Sequence, residues 1–149
     1  MPNLIWHKQK QATSCVSACV QMVLTNFGED WSESDVRHLL GNPKLGITLK
    51  QAEECLKNVN IGILWVTDWS LDELRDSLRQ GDYPIVGVER HILGHAPASH
   101  AVIITHISSN QVGFLDPLDG PEEKFSGREA FDRAWRLSGK EALRIKGPI

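Results

Sequence analysis

The sequence predicts an α+β fold, in which a layer of helices packs on an antiparallel β-sheet. Helical spacing of apolar residues dominates the first half of the chain, and short apolar strands dominate the second half. Two of these strands are separated by a short polar connection that contains Asn110, which is typical of a β-hairpin. The chain has 149 residues, and we expect a single domain over its whole length, 1–149.

Each predicted helix combines apolar residues at helical spacing with residues that favour a helix end. Ser14, Ser32, Thr48 and Ser70 are placed as N-caps, and the Gln three residues after Thr48 completes a capping box. Glycines mark the ends of the first, second and fourth helices. These signals predict helices over residues 15–27, 32–41, 48–58, 70–81 and 126–137.

The predicted strands are short apolar runs bounded by turn residues. They cover residues 61–66, 83–88, 101–105, 111–115 and 142–145. Segment 89–99 contains Gly94 and Pro97 and is predicted to be a surface loop that leads into His100 at the start of a strand. Loops between rigid elements are frequent locations of functional residues.

Composition and charge exclude several classes of function. Apolar residues make up 41% of the chain and charged residues 23%, which is ordinary for a globular protein. The net charge is −3, so the chain has no basic excess and we expect no nucleic-acid partner. The apolar runs are far shorter than a membrane span requires, and no signal-peptide pattern opens the chain. We therefore expect no membrane segment in this chain.

The cysteine content favours free thiols. The chain has three cysteines, and this odd number is unlike a disulfide framework. Free thiols persist in reducing compartments, so the sequence predicts a cytoplasmic location.

Cys15 is the candidate nucleophile. It lies at the predicted start of a helix, where free backbone amides and the helix dipole favour a thiolate. A cysteine in a helix is otherwise most often a buried apolar side chain, so the interpretation depends on partner residues. Cys19, one turn later, and Cys55 are interpreted as core residues.

His100 and Asp116 are the candidate partners of Cys15. His100 opens one strand of the predicted hairpin and Asp116 ends the other, so both residues lie at the same end of the hairpin. A histidine that serves a thiol needs a third group to orient its ring, and a carboxylate suits that role. The backbone amide of Cys15 and the side-chain amide of Gln9 or Gln11 are candidate donors to an oxyanion.

The ordered set of these residues resembles the double-glycine leader peptidases, the bacteriocin-processing branch of the papain-like cysteine peptidases. Gln9 precedes Cys15 by six residues, and Asp116-Pro117 follows His100 by sixteen. The resemblance spans nearly the whole chain and implies a papain-like fold. It further implies that Cys15 is the nucleophile, His100 the base, Asp116 the orienting group and Gln9 an oxyanion donor. The implied reaction is hydrolysis of a bond in a peptide or protein substrate through a thioester.

Two features depart from the pattern of that family. The family commonly has Asp before the cysteine and Gly after it, whereas this chain has Ser14 and Val16. Many leader-processing members are the front domain of a membrane exporter, whereas this chain carries no membrane or ATPase part, so we expect a stand-alone form.

Three alternatives remain open at the level of sequence. A protein glutamine deamidase or an acyl transferase would use the same thioester chemistry, and a peptide-binding module would use the same groove without turnover. His91, His95 and His100 invite a zinc interpretation, but Gly94 and Pro97 interrupt the helix that this spacing requires. We therefore expect neither a metal nor a cofactor, and the sequence gives no oligomeric state.

Overall fold

The computed structural model describes residues 4–28, 30–44, 46–96 and 98–148, without the side chain of Pro148. Its helices are α1 (Cys15–Asn26), α2 (Glu33–Leu39), α3 (Leu49–Lys57), α4 (Leu71–Arg79) and α5 (Arg128–Leu137). Its strands are β1 (Ile61–Thr67), β2 (Ile85–Glu89), β3 (Ser99–Ile107), β4 (Gln111–Leu115), β5 (Lys124–Gly127) and β6 (Glu141–Pro148). A short 3₁₀ helix covers Arg90–Leu93.

The strands of the described residues form one antiparallel sheet in the order β1-β6-β2-β3-β4-β5. Helices α1, α2 and α3 cover one face, together with the apolar side chains of Ile103 and Leu143. Helices α4 and α5 cover the other face, where Phe131 and Trp135 are fully buried against Val102. The α+β class is confirmed, but the expectation of one helical layer is incomplete because the sheet is covered on both faces.

Helix α1 is the central helix of the first layer. Nearly all of its residues are buried, including the polar side chains of Ser17 and Gln21. It packs against β3 on one side and α2 on another, so it is covered in most directions. This burial fixes the position of the first residue of the helix, Cys15, relative to the sheet.

The N-termini of three helices follow the caps predicted from the sequence. The side chains of Ser32, Thr48 and Ser70 each accept a hydrogen bond from the backbone amide three residues later. In each case the side chain at that third position bonds back to the cap, which completes a capping box. The starts of α2, α3 and α4 are thus set by local sequence.

The predicted hairpin is confirmed in β3 and β4. Ile103 pairs with Leu115 and Ile104 pairs with Phe114, with an irregularity before His106. Strand β3 is longer than predicted and begins at Ser99. This register brings the beginning of β3 and the end of β4 together at one end of the sheet.

The structure also differs from the predictions at β5 and at the start of β2. Residues 124–127 form the edge strand β5, so the last helix begins at Arg128 and not at Ser126. Pairing of Ser126 with Val112 accounts for the difference, because an added edge strand satisfies the backbone of this segment. Strand β2 begins at Ile85, and Pro84 contributes only its carbonyl oxygen to the amide of Ile104.

A buried charge cluster ties the sheet to the end of α4. The carboxylate of Asp82 accepts hydrogen bonds from Arg144 at 2.6 and 2.9 Å, from Lys146 at 2.8 Å and from Ser77 at 2.7 Å. Burial acts to raise the pKa of Asp82, but these donors together hold the pKa below its ordinary value.

None of the described helices is long and apolar enough to cross a membrane.

Candidate active site

Cys15 is the first residue of α1 and is partly buried. The side chain of Ser14, the N-cap, does not cap the helix, because its hydroxyl bonds to the backbone of Gln11. The backbone amides at this end of the helix are therefore left for other acceptors. The amide of Val16 is one of them, and its interaction with the Cys15 sulfur helps to lower the pKa of Cys15.

The surroundings of Cys15 favour the thiolate. Burial acts to raise the pKa of Cys15, but a hydrogen bond and the charge interaction with His100 outweigh it. Backbone hydrogen bonds from Ala101 and Val16 act in the same direction, so the pKa of Cys15 lies below its ordinary value of 9.0. The structure thus brings Cys15 and His100 together, although 85 residues of chain separate them.

His100 bridges Cys15 and Asp116. Its Nε2 atom lies 2.7 Å from Oδ1 of Asp116, and both side chains are buried. Burial acts to lower the pKa of His100, but its bonds to Asp116 and Cys15 raise the pKa to about 9. Since Nε2 faces Asp116, Nδ1 is the ring nitrogen left for Cys15. At neutral pH the arrangement is an imidazolium between a carboxylate and a cysteine whose pKa is lowered.

Asp116 is held on several sides. The Oδ1 atom that meets His100 also accepts the backbone amide of Leu118 at 2.8 Å. The indole nitrogen of Trp6 donates to the backbone oxygen of Asp116 at 2.8 Å, and Arg90 Nη2 lies 3.9 Å from Oδ2. Burial acts to raise the pKa of Asp116, but the bond to His100, the Leu118 amide and the charge of Arg90 hold the pKa below its ordinary value.

Gln9 lies on the segment that precedes α1, and its side chain is buried. Its backbone amide donates to the carbonyl of Pro117 at 2.8 Å, which joins this segment to the residues after Asp116. Its Nε2 atom donates to the carbonyl oxygens of Gln11 at 2.9 Å and Ala12 at 3.3 Å. Its Oε1 atom is buried and has no hydrogen-bond partner among the described residues.

A cleft of about 460 Å³ opens above Cys15 and His100. Segment 46–51, at the start of α3, forms one wall, and the beginnings of β3 and β6 form the other. Small residues form much of the cleft lining; these are Ala12, Gly46, Gly87, Ala98, Ser99 and Ala101. A side chain on Gly87 would place its Cβ 3.0 Å from the Ser138 hydroxyl, so the floor is closely packed there.

The sequence of this chain matches one family over most of its length. The family model described as "Peptidase C39 family" matches residues 3–139. The chain belongs to the peptidase C39 family. Membership makes it a cysteine-type peptidase, a hydrolase, and it confirms the family resemblance drawn from the sequence.

Solved structures of C39 peptidases share the fold. One is described as a C39-like peptidase from Bacillus anthracis; it is 16% identical, with a TM-score of 0.78 over 96% of this chain and 94% of that one. A second is a double glycine motif protease from an AMS/PCAT transporter in complex with the leader peptide. It is 17% identical, with a TM-score of 0.75 over 99% of this chain and 93% of that one. A third is the peptidase domain of Streptococcus ComA, a bi-functional ABC transporter involved in quorum sensing. It is 20% identical, with a TM-score of 0.73 over 95% of this chain and 96% of that one.

These likenesses confirm the papain-like fold of the C39 peptidases. None of the curated proteins compared with the chain matches it significantly.

Within the part of the chain that the structure describes, the hydrogen-bond and ion-pair partners of Cys19, His91 and His95 in this C39 peptidase are residues other than Cys15. Cys19 is fully buried, and burial together with the nearby charges of Cys15 and Asp116 raises the pKa of its thiol well above the ordinary value. His91 lies 3.4 Å from Glu89, and His95 lies 3.7 Å from Asp119. The described residues contain no group of three side chains that could hold a metal ion.

Two charged residues of the cleft were not singled out from the sequence. Arg90 follows β2 and lines the cleft beside Asp116, and Glu141 opens β6 on the opposite side. Neither lies in a motif that would mark it. Their positions follow from the strand order, because β6 inserts between β1 and β2 and so brings residue 141 beside the end of β2.

Proposed function

We propose that this peptidase hydrolyses peptide bonds through Cys15, His100 and Asp116, with a thioester acyl-enzyme as intermediate. The observation that carries the proposal is the contact of His100 with a helix-terminal cysteine on one side and a buried carboxylate on the other. A chain of nucleophile, base and orienting group is the arrangement that acyl transfer by a thiol requires.

In the proposed first step, the Cys15 thiolate attacks the carbonyl carbon of the scissile bond and forms a C–S bond. The C–N bond then breaks, and the leaving amine takes the proton that His100 carries on Nδ1. A water molecule gives a proton to the neutral His100 and attacks the thioester. Cleavage of the C–S bond releases the acid and restores the thiolate and the imidazolium.

The backbone amide of Cys15 and the side chain of Gln9 are the proposed donors to the oxyanion. The Cys15 amide lies at the N-terminus of α1, where backbone amides lack intrahelical acceptors. In the resting structure the Gln9 amide donates to the carbonyls of Gln11 and Ala12. The proposed role of Gln9 therefore requires its side-chain amide to rotate toward the substrate. The same rotation would move the Oε1 atom of Gln9 out of the buried position in which it has no hydrogen-bond partner among the described residues.

The proposed substrate is a peptide of the double-glycine type. Small residues in the cleft lining let a peptide backbone approach the ends of the strands closely. One structural neighbour is a double glycine motif protease that was solved with a leader peptide. No observation favours deamidation or acyl transfer to an amine over hydrolysis.

We further propose that residues 1–149 act as one catalytic domain and that it works in the cytoplasm. Cys15, Cys19 and Cys55 are all free thiols. A thiolate nucleophile with a second thiol one turn away is best preserved in a reducing compartment.

Cleavage of a peptide library tests the proposed function. The purified chain is incubated with peptides that contain Gly-Gly at varied positions, and the products are identified by mass spectrometry. We expect new termini that are absent with Cys15→Ala and retained with Cys55→Ala, which removes a thiol outside the cleft.

Ammonia and product masses are measured in the same reactions. Release of ammonia from peptides whose chains stay intact would replace hydrolysis by deamidation. Binding of peptides with neither products nor ammonia would indicate a binding module.

A further inference from the structure

Glu141 places a carboxylate in the cleft, two strands away from the nucleophile. Ala101, beside Cys15, pairs with Gly87 on β2. Val86 pairs with Ala142 on β6, and this register sets Gly87 beside Glu141. Adjacent strands lie about 4.8 Å apart, so Glu141 begins roughly 10 Å from Ala101 along the cleft floor.

The side chain of Glu141 lies on the cleft side of the sheet. Side chains alternate along a strand, so Glu141 shares a face with Leu143 and Ile145, which pack with α1. The residue lines the cleft together with Ser99 and Ser138, whose hydroxyls lie 2.8 Å apart.

The carboxylate is fixed in position by two tryptophans and has no ion-pair partner among the described residues. Trp65 Nε1 donates to its Oε1 atom at 3.0 Å, and Trp135 Nε1 donates to its backbone oxygen at 2.9 Å. None of the ion pairs among the described residues includes Glu141. Lys50, whose Nζ lies 4.8 Å from the Trp65 ring centroid, instead bonds to Glu53 at 3.0 Å.

The other charges of the cleft lie at its opposite end. Arg90 is beside Asp116, next to β4, and His100 lies between the two ends. A peptide in the cleft therefore meets a guanidinium on the Asp116 side and an unpaired carboxylate on the β6 side.

We propose that Glu141 selects a Lys or Arg side chain at the third residue before the scissile bond, directly before the two glycines. The inference rests on the proposed function, because it assumes that the acyl half of the peptide lies over β2 and β6 while the leaving amine lies on the Asp116 side. An extended peptide rises about 3.3 Å per residue, so roughly 10 Å corresponds to three residues. A basic side chain there would give Glu141 an ion-pair partner, which none of the described residues provides.

Affinity labels of Cys15 test this selectivity without requiring turnover. The probes are peptidyl chloromethyl ketones of the form X-Gly-Gly, in which X is Lys, Gln or Glu. The thiolate displaces chloride and forms a C–S bond, and the labelled cysteine is identified by mass spectrometry. Each rate is expressed relative to that of the Gln probe on the same variant, so that differences in intrinsic reactivity cancel.

The variants are Glu141→Gln and, as a matched control, Glu129→Gln on the exposed surface of α5, outside the cleft. Glutamine at position 141 keeps an oxygen that can accept from Trp65. We expect the wild-type chain and E129Q to react with the Lys probe faster than with the Glu probe by about tenfold. We expect E141Q to lose this preference.

The outcomes separate the two proposals. Labelling of Cys15 with no preference for Lys, or with a preference that E141Q retains, would overturn the role of Glu141 and leave the nucleophile in place. If none of the probes labels Cys15, the proposed function itself is overturned, and the inference about Glu141 is overturned with it.

Discussion

The Nε2 atom of His100 lies 2.7 Å from Oδ1 of Asp116, and both side chains are buried at the same end of the β3–β4 hairpin. The contact leaves Nδ1 of the ring for Cys15. It also opposes the effect of burial on His100, so that the ring carries a proton at neutral pH. The charge on Asp116 is therefore linked to the Cys15 thiol through one imidazole ring.

We expect Asp116→Asn to reduce kcat/KM for peptide hydrolysis by about a hundredfold. The amide oxygen still accepts hydrogen bonds, but the negative charge that favours the imidazolium is gone. The pKa of His100 should fall toward its ordinary value of 6.5. The rate is measured as a function of pH on a peptide that the wild-type chain cleaves.

Asp119→Asn is the matched control, because Asp119 lies three residues later in the same segment and is more exposed. A loss in the control equal to that in D116N would contradict the role of the charge on Asp116.

The pH dependence of hydrolysis should be bell-shaped. Rates fall on the acid side as the Cys15 thiolate takes up a proton, and the lowered pKa of Cys15 places this limb below 9.0. Rates fall on the alkaline side as His100 loses its proton, at about pH 9. The measurement is kcat/KM between pH 4 and 10. A rate that keeps rising through pH 9, as for an ordinary thiol, would be inconsistent with a protonated His100.

Gln9→Ala should lower kcat for hydrolysis by about 10²- to 10³-fold, because it removes one donor to the oxyanion. Alkylation of Cys15 by iodoacetamide should change much less, since that displacement forms no oxyanion. Gln11→Ala is the control, because Gln11 meets Gln9 through its backbone carbonyl and not through its side chain. Equal losses in hydrolysis and alkylation would show that Gln9 acts on the fold and not on the oxyanion.

Asp82→Asn should lower the free energy of unfolding by about 3 kcal/mol at neutral pH, because it leaves Arg144 buried without its charge partner. Urea denaturation gives the value, with Asp76→Asn, which lies exposed on α4, as the control. The folded pKa of Asp82 is lowered, so its contribution is present above about 3.8 and is lost as the pH falls below that value. The acid-induced loss of stability should therefore be smaller in D82N than in the wild-type chain.

The part of the site that depends on local rules was predictable from the sequence. The hairpin signal at Asn110 placed the two ends of β3 and β4 together, and the apolar periodicity placed Cys15 at a helix start, although the predicted cap by the Ser14 side chain is wrong. The capping box at Thr48 placed the start of α3, which forms one wall of the cleft.

The part that depends on long-range packing was not predictable. Strand β5 has only four residues and shows no apolar run, so its pairing with β4 decides its structure. The second helical layer and the positions of Arg90 and Glu141 depend on strand order, which periodicity does not encode. The rotation of the Gln9 amide toward two backbone carbonyls is likewise set by the contacts of one short turn.

Alkylation of the native chain by iodoacetamide near neutral pH tests the central claim, that His100 activates Cys15. Peptide mass spectrometry reports the rate at each cysteine in the wild-type chain and in His100→Ala. We expect rapid labelling of Cys15, slow labelling of the partly buried Cys55 and almost none of the buried Cys19, with the Cys15 rate falling to that of Cys55 in H100A. Equal labelling of Cys15 and Cys55 in the wild-type chain, or a Cys15 rate that H100A leaves unchanged, would contradict the account.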